Sequence, residues 1–119
     1  MKSVEELNVF KLAHKLTLEI YSSVKSFPEA ERFGLVTQLC RAASSINANL
    51  LEGSNRISRK EYRQFVGIAR GSAGEVKYHL LLAKDLSYIS VEKYEALLCE
   101  VNDISKMLSG LIKSLSQGS

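Results

Sequence analysis

Apolar residues recur along most of the chain at steps of three and four, the spacing that places them on one face of an α-helix. Four segments show this period, and short polar or glycine-containing stretches separate them. The pattern predicts helices over about residues 4–26, 30–53, 59–86 and 91–115. Because short connections favour antiparallel neighbours, we expect an all-α fold: an up-down-up-down four-helix bundle, formed as a single domain over residues 1–119.

The ends of these predicted helices carry local signals. Gly53 and Asn55 close the second helix, since both residues tolerate the left-handed backbone conformation found at helix C-termini. Ser58 and Glu61 have the spacing of a capping box at the start of the third helix. Ser90 is placed to cap the fourth helix.

Three glycines interrupt the interior of the third predicted helix: Gly67, Gly71 and Gly74. Each costs up to about 1 kcal/mol relative to alanine in a helix, so something must compensate for them. The second helix carries a matching set of small residues among positions 42–48, which favours close helix–helix contact, within the subunit or between subunits. The alternative is that the bare backbone accommodates a ligand or another chain.

Composition narrows the class of protein. Hydrophobic residues make up 45% of the 119 positions and charged residues 24%, which is typical of a chain that buries a core. The longest aliphatic run, residues 80–83, is far shorter than the ~20 apolar residues of a membrane span. The first ten residues lack the charge pattern of a signal peptide, so we expect a cytoplasmic protein with no membrane partner. Cys40 and Cys99 both fall in apolar helical pattern and are expected to be core thiols.

Candidate catalytic chemistry is sparse. Glu75 and His79 lie four residues apart on one helix face, but a di-metal bundle needs a second such pair and the sequence has none. The glycines of the third helix do not form a phosphate-binding loop, because the lysine and hydroxyl residue of that motif are missing. We therefore expect no enzyme activity, no cofactor and no metal site.

Positive charge is concentrated in one part of the chain. The net charge is only +3, yet residues 41–70 hold six lysines and arginines against two acids, a balance of 6 − 2 = +4. At 100° per residue, five cations of the third helix fall within an arc of about 60°, and no acid of that helix shares it. They are Arg59, Arg63, Arg70, Lys77 and Lys84. Such a row suits contact with a nucleic-acid backbone, because each cation neutralises a phosphate.

Two alternatives to nucleic-acid contact come from the same segment. The cations of the third helix would instead pair with acids of the fourth helix, namely Glu92, Glu95, Glu100 and Asp103. The aromatic residues Tyr62 and Phe65 favour positions in the core over a role as platforms for base stacking.

An ordered set of short motifs spans nearly the whole chain. They are F-P-x-x-E-x-F-G-L at 27–35, Q-L-x-R-A-A-x-S-I at 38–46, Glu52-Gly53, Arg56, Ser58 with Glu61, and I-A-x-G-S-x-x-E at 68–75, where x is a position outside the motif. As a set, over about residues 9–112, they resemble the four-helix-bundle proteins encoded in 23S rRNA intervening sequences. That resemblance implies a four-helix bundle assembled as a ring-shaped homopentamer, and it supplies no established biochemical activity.

A related branch, the accessory proteins of diversity-generating retroelements, binds nucleic acid and a reverse transcriptase through a positively charged surface. By that resemblance the candidate contacts are Arg41, Arg56, Arg59, Arg63 and Arg70. The sequence departs from the family pattern at Cys40, where a basic residue is common, and at Ser87, where a glycine is common.

Together these observations predict a non-enzymatic homo-oligomer that binds RNA or DNA non-specifically through a basic face on the third helix and the preceding loop. Lys77 and Lys84 complete the candidate site. The alternative is a protein-interaction or structural oligomer with internally paired charges and no nucleic-acid role.

Overall fold

A computed structural model describes residues 3–117, and within that range the chain forms four α-helices. They are α1 (Asn8–Ser23), α2 (Leu35–Ser54), α3 (Arg59–Asp85) and α4 (Val91–Leu115). Helix α2 packs against α1 and α3, and α4 packs against α3 and α1, so the four helices close into a bundle. The predicted all-α class and four-helix bundle are confirmed.

Each helix contributes one apolar face to a shared core. The largest fully buried side chains are Leu16, Ile20, Leu39, Ile46, Leu50, Val66, Val76, Leu80, Leu97, Val101, Ile104 and Leu108. Full burial of one such side chain stabilises the fold by about 1.5–3 kcal/mol, so this core holds the helices in place. In the part of the chain that the structure describes, no helix is long and apolar enough to cross a membrane.

The second helix begins at Leu35, five residues later than the apolar period predicts. Residues Glu29–Glu31 instead form one turn of 3-10 helix. The Glu31 carboxylate accepts a hydrogen bond from the Leu35 backbone N–H at 3.2 Å. Its other oxygen accepts from the Tyr88 hydroxyl at 2.9 Å. Glu31 therefore sets the start of α2 and ties it to the loop between α3 and α4.

The bond between Tyr88 and Glu31 predicts a loss of stability at high pH. The hydrogen bond to Glu31, together with burial, raises the pKa of Tyr88 above its ordinary value of 10.0. A raised pKa in the folded state means that the stabilisation is present below about pH 10 and is lost as the pH rises through the folded pKa. In urea unfolding, the free energy of unfolding should fall more for wild type than for Tyr88→Phe between about pH 9 and 11. Identical losses in the two proteins would contradict this bond.

The end of α2 differs from its prediction. Asn55, which follows the helix, has a φ of −96°, and no left-handed residue closes α2. Gly53 lies inside the helix, where an added Cβ would meet the Phe65 Cβ at 2.7 Å and the Tyr62 Cδ1 at 3.1 Å. The prediction that a left-handed residue closes α2 is therefore wrong. Gly53 serves instead to allow the close approach of α3.

The left-handed residue that the structure does show lies at the end of α3. Ser87 has a φ of +63°, which is unfavourable for a residue with a side chain. Its backbone N–H donates to the Lys84 carbonyl at 2.9 Å, and the Tyr88 N–H donates to the Ala83 carbonyl at 2.8 Å. These two bonds are those of the Schellman motif, in which glycine is the usual left-handed residue.

Candidate nucleic-acid interface

The five cations of α3 form one line along the groove between α3 and α4, and we call this line the α3 cation row (Arg59, Arg63, Arg70, Lys77 and Lys84). At one end, Arg59 Nη2 donates to the Ser114 carbonyl oxygen at 3.1 Å, near the C-terminus of α4. At the other end, Lys84 Nζ lies 5.0 Å from the centroid of the Tyr94 ring, near the N-terminus of α4. The row therefore follows the α3–α4 groove for about 37 Å.

The two end members of the row are already engaged. Lys84 Nζ forms a salt bridge with Asp85 at 3.2 Å, and its side chain is only 28% exposed. Arg59 is fixed by the Ser114 carbonyl. Arg63, Arg70 and Lys77 are exposed, and within residues 3–117 they make no salt bridge or side-chain hydrogen bond. The middle of the row therefore leaves three positive charges available to an external anion.

The acids of α4 do not neutralise the row. Glu100 forms a salt bridge with Lys15 of α1 at 3.5 Å. Tyr94 marks the side of α4 that faces α3, and Glu92, Glu95 and Asp103 lie about 100–180° away from it around the helix. Within the described part of the chain, none of these four acids forms a salt bridge with a cation of the row.

Glu100 belongs to a charged cluster between α1 and α4. Lys15 Nζ lies 3.5 Å from a carboxylate oxygen of Glu19 and 3.5 Å from one of Glu100. Burial and the neighbouring Glu19 carboxylate raise the pKa of Glu100, and the two carboxylates raise the pKa of Lys15. The cluster joins α1 to α4 on a different side of α4 from the cation row.

The other two candidate contacts lie outside the row. Arg56 is in the loop between α2 and α3, with its Cζ 4.8 Å from the centroid of the Phe65 ring. Its guanidinium also lies 3.4 Å from a Glu52 oxygen and 4.0 Å from a Glu61 oxygen, so these acids partly neutralise its positive charge. Arg41 is exposed on α2 and lines a shallow depression with Glu75, on the α2 side of α3.

The three interior glycines of α3 face away from the bundle. An added Cβ at Gly67, Gly71 or Gly74 would meet nothing within 4 Å. Of the two alternatives for these glycines, contact within or between subunits, close contact with α2 inside the subunit is therefore excluded. Other small residues of α3 are buried instead, namely Ala69, Ser72 and Ala73. Between α2 and α3 the hydroxyls of Ser45 and Ser72 are 2.9 Å apart.

Metal-ligating and thiol groups are scattered. Among the residues that the structure describes, no three or more of His, Cys, Asp and Glu are grouped to hold a metal ion. Cys40 is buried, as predicted, and burial raises the pKa of its thiol. Cys99 is exposed, so its assignment to the core is wrong. Cys99 lies on the outer surface of α4, where the apolar period alone does not resolve the boundary of the core.

One structural feature has no signal in the sequence. A cleft of about 600 Å³ opens at the end of the bundle where α2 meets α3. Its lining comes from the residues before α1, the loop after α2, and the ends of α2, α3 and α4. Arg59 of the cation row and Tyr62 are among the lining residues. Tyr62, predicted as a core residue, is half-buried and packs against the core while it lines this cleft.

Comparison with known proteins places the chain in a family. A sequence profile of the 23S rRNA-intervening sequence protein family matches residues 5–110, which include the whole cation row. The chain belongs to this family. The predicted resemblance is thereby confirmed.

A solved structure from Bacteroides thetaiotaomicron, described as a protein with unknown function from the S23 ribosomal protein family, shares the fold. It is 29% identical to this chain with a TM-score of 0.79, and the match covers 88% of this chain and 98% of that one. No curated protein matches the chain. Since the 23S rRNA-intervening sequence proteins are a family of unknown function, the function must be argued from the site itself.

Proposed function

We propose that this 23S rRNA-intervening sequence protein is a non-enzymatic homo-oligomeric bundle that binds RNA or DNA non-specifically along the α3 cation row. The observation that supports this proposal is a set of three cations in the middle of the row that are exposed and, among residues 3–117, unpaired: Arg63, Arg70 and Lys77. Each lies seven positions after the one before, a rise of about 10 Å along the helix. On a DNA duplex, where each strand has one phosphate per about 3.4 Å of helix axis, that rise corresponds to roughly three phosphates of one strand.

The surroundings of the row suit a phosphate backbone. The positions of α4 that share the groove with the row, as judged from their helical phase relative to Tyr94, include Ser105 and Ser109. These side chains are neutral and can donate hydrogen bonds to phosphate oxygens. Contacts of lysine, arginine and hydroxyl groups to phosphates do not depend on the base sequence, so the binding is non-specific.

A charge-neutralising triple variant tests this proposal. Arg63→Gln, Arg70→Gln and Lys77→Gln together should weaken binding to labelled RNA and DNA in fluorescence anisotropy. Because three phosphate contacts are lost, the plot of log affinity against log salt should become less steep by about 2–3 units.

The matched control removes the same number of charges elsewhere. Lys11, Lys25 and Lys106 are exposed, form no salt bridge within residues 3–117 and lie outside the α3–α4 groove. Their triple replacement by glutamine should leave the salt dependence close to that of wild type. An equal loss in the two variants, or no binding by wild type at low salt, would show that the row is not the interface.

A second candidate function is structural, and the exposed glycines of α3 favour it. Gly67, Gly71 and Gly74 share the outer face of α3 with Ile68, which is 52% exposed, and Tyr78, which is 58% exposed. A bare helix backbone flanked by exposed apolar side chains allows the close approach of another helix. On this proposal the face packs against a second copy of the chain, in the homopentamer that the family resemblance implies, or against another protein partner.

A further inference from the structure

The cleft at the end of the bundle adjoins the α3 cation row. Arg59, the first residue of α3, belongs to both: it begins the row and it lines the cleft. The hydrogen bond from Arg59 Nη2 to the Ser114 carbonyl holds the guanidinium at this junction. A strand whose phosphates follow the row towards this end therefore reaches the mouth of the cleft at Arg59.

The lining of the cleft combines apolar, aromatic and hydrogen-bonding groups. Leu51 and Leu115 supply apolar surface, and Tyr62 supplies an aromatic ring. Asn55 Nδ2 donates to the Leu51 carbonyl at 2.8 Å, which orients the amide and leaves Asn55 Oδ1 as an acceptor. Aromatic rings and amide oxygens are the groups that bind a nucleobase through stacking and hydrogen bonds.

The charge of the cleft indicates which part of a nucleotide it fits. Arg59 is balanced by Glu5, which lines the same cleft. Among the described residues that line the cleft, one is a cation and one is an acid, so the cleft is a poor site for a phosphate but suits a neutral aromatic group. Its volume of about 600 Å³ lies in the range of small-molecule sites, which is ample for one base.

We infer that this cleft takes one unstacked nucleobase of a single strand whose phosphates lie on the α3 cation row. The inference rests on the proposed function, since the row holds the strand that delivers the base. A duplex keeps its bases paired and stacked, so it occupies the row without filling the cleft. The protein therefore distinguishes single strands from duplexes although it does not recognise base sequence.

The test compares three probes of equal length on the intact chain: a labelled single strand, the same strand with its bases removed, and a duplex. Fluorescence anisotropy should show that wild type binds the ordinary strand about tenfold more tightly than the abasic strand, since base stacking on an aromatic side chain contributes on this scale. The duplex should also bind about tenfold more weakly than the ordinary strand, when the two probes are compared under conditions in which their affinities depend equally on salt.

Two variants locate the effect. Tyr62→Leu keeps an apolar side chain but removes the ring, so it should reduce binding of the ordinary strand to the level of the abasic strand. The matched control is Tyr21→Leu, which removes an exposed tyrosine of α1 outside the cleft and should leave the ratio of the two affinities unchanged. Circular dichroism establishes that each variant is folded. If Tyr62→Leu does not fold, the wild-type comparison of the three probes decides the matter alone.

The outcomes separate this inference from the proposed function. Equal affinity of wild type for the ordinary and abasic strands, with binding still lost in the Arg63, Arg70 and Lys77 triple variant, would overturn the cleft and leave the row standing. A loss of base preference in Tyr21→Leu but not in Tyr62→Leu would move the base contact to another surface. No binding of any probe at low salt would overturn both.

Discussion

Gly53→Ala is expected to destabilise the protein by about 1–3 kcal/mol, although alanine is the better helix former. The added methyl carbon would lie 2.7 Å from the Phe65 Cβ, 3.1 Å from the Tyr62 Cδ1 and 3.2 Å from the Tyr62 carbonyl oxygen. A Cβ and a backbone oxygen cannot move aside by rotation about a side-chain bond. Helices α2 and α3 must therefore separate where they meet.

Urea unfolding measures this cost, and Gly110→Ala is the matched control. Gly110 lies in the interior of α4, and an added Cβ there would meet nothing within 4 Å. Its replacement should stabilise the protein by about 0.5–1 kcal/mol, because alanine loses less backbone entropy in a helix. Opposite signs for the two variants are the expected result. A Gly53→Ala protein as stable as wild type would mean that α3 does not approach α2 as closely as described.

The sequence predicts those parts of the fold that depend on local interactions. Ser58 Oγ accepts from the Glu61 N–H at 3.1 Å, and Ser90 Oγ accepts from the Lys93 N–H at 3.0 Å, so both predicted caps are confirmed. The start of α2 depends instead on Glu31, whose side chain bonds a tyrosine 57 residues away. Such a bond leaves no periodic signal in the sequence, which explains why the apolar period places the start too early.

The sequence likewise predicts only those parts of the candidate site that depend on local geometry. Helical phase is local, so it groups the five cations of α3. Lys84 pairs with its neighbour Asp85, but the contacts of Arg59 with the Ser114 carbonyl and of Lys84 with the Tyr94 ring depend on how α4 packs. The cleft needs three helices and the residues before α1, so no spacing along the chain predicts it.

The helical phase of the α3 glycines carries information about what they contact. In the helical projection that groups the cations, Gly67, Gly71 and Gly74 lie opposite the buried residues of α3. Phase alone therefore contradicts contact with α2 inside the subunit. Small residues on two helices indicate close contact only where they face each other.

Replacing all three glycines by alanine should stabilise the isolated chain by about 2–3 kcal/mol, since each position is open and each glycine costs up to about 1 kcal/mol. The melting temperature should rise by about 10 °C. Both are measured at protein concentrations low enough for wild type and variant to be compared as monomers, because assembly itself adds stability. No gain in stability would mean that the outer face of α3 is not open in the isolated chain.

The same variant tests self-association through this face. Three methyl groups on a bare helix surface hold a neighbouring helix further away, so a homo-oligomer built on this face should dissociate even though its chains are more stable. Light scattering after size exclusion should then show a change from about 66 kDa, five times the 13.2 kDa of one chain, towards the mass of the monomer. Gly110→Ala should leave the mass unchanged. If the triple variant is more stable and keeps its mass, then the glycines do not serve contact between copies, and the second candidate function loses the observation that favours it.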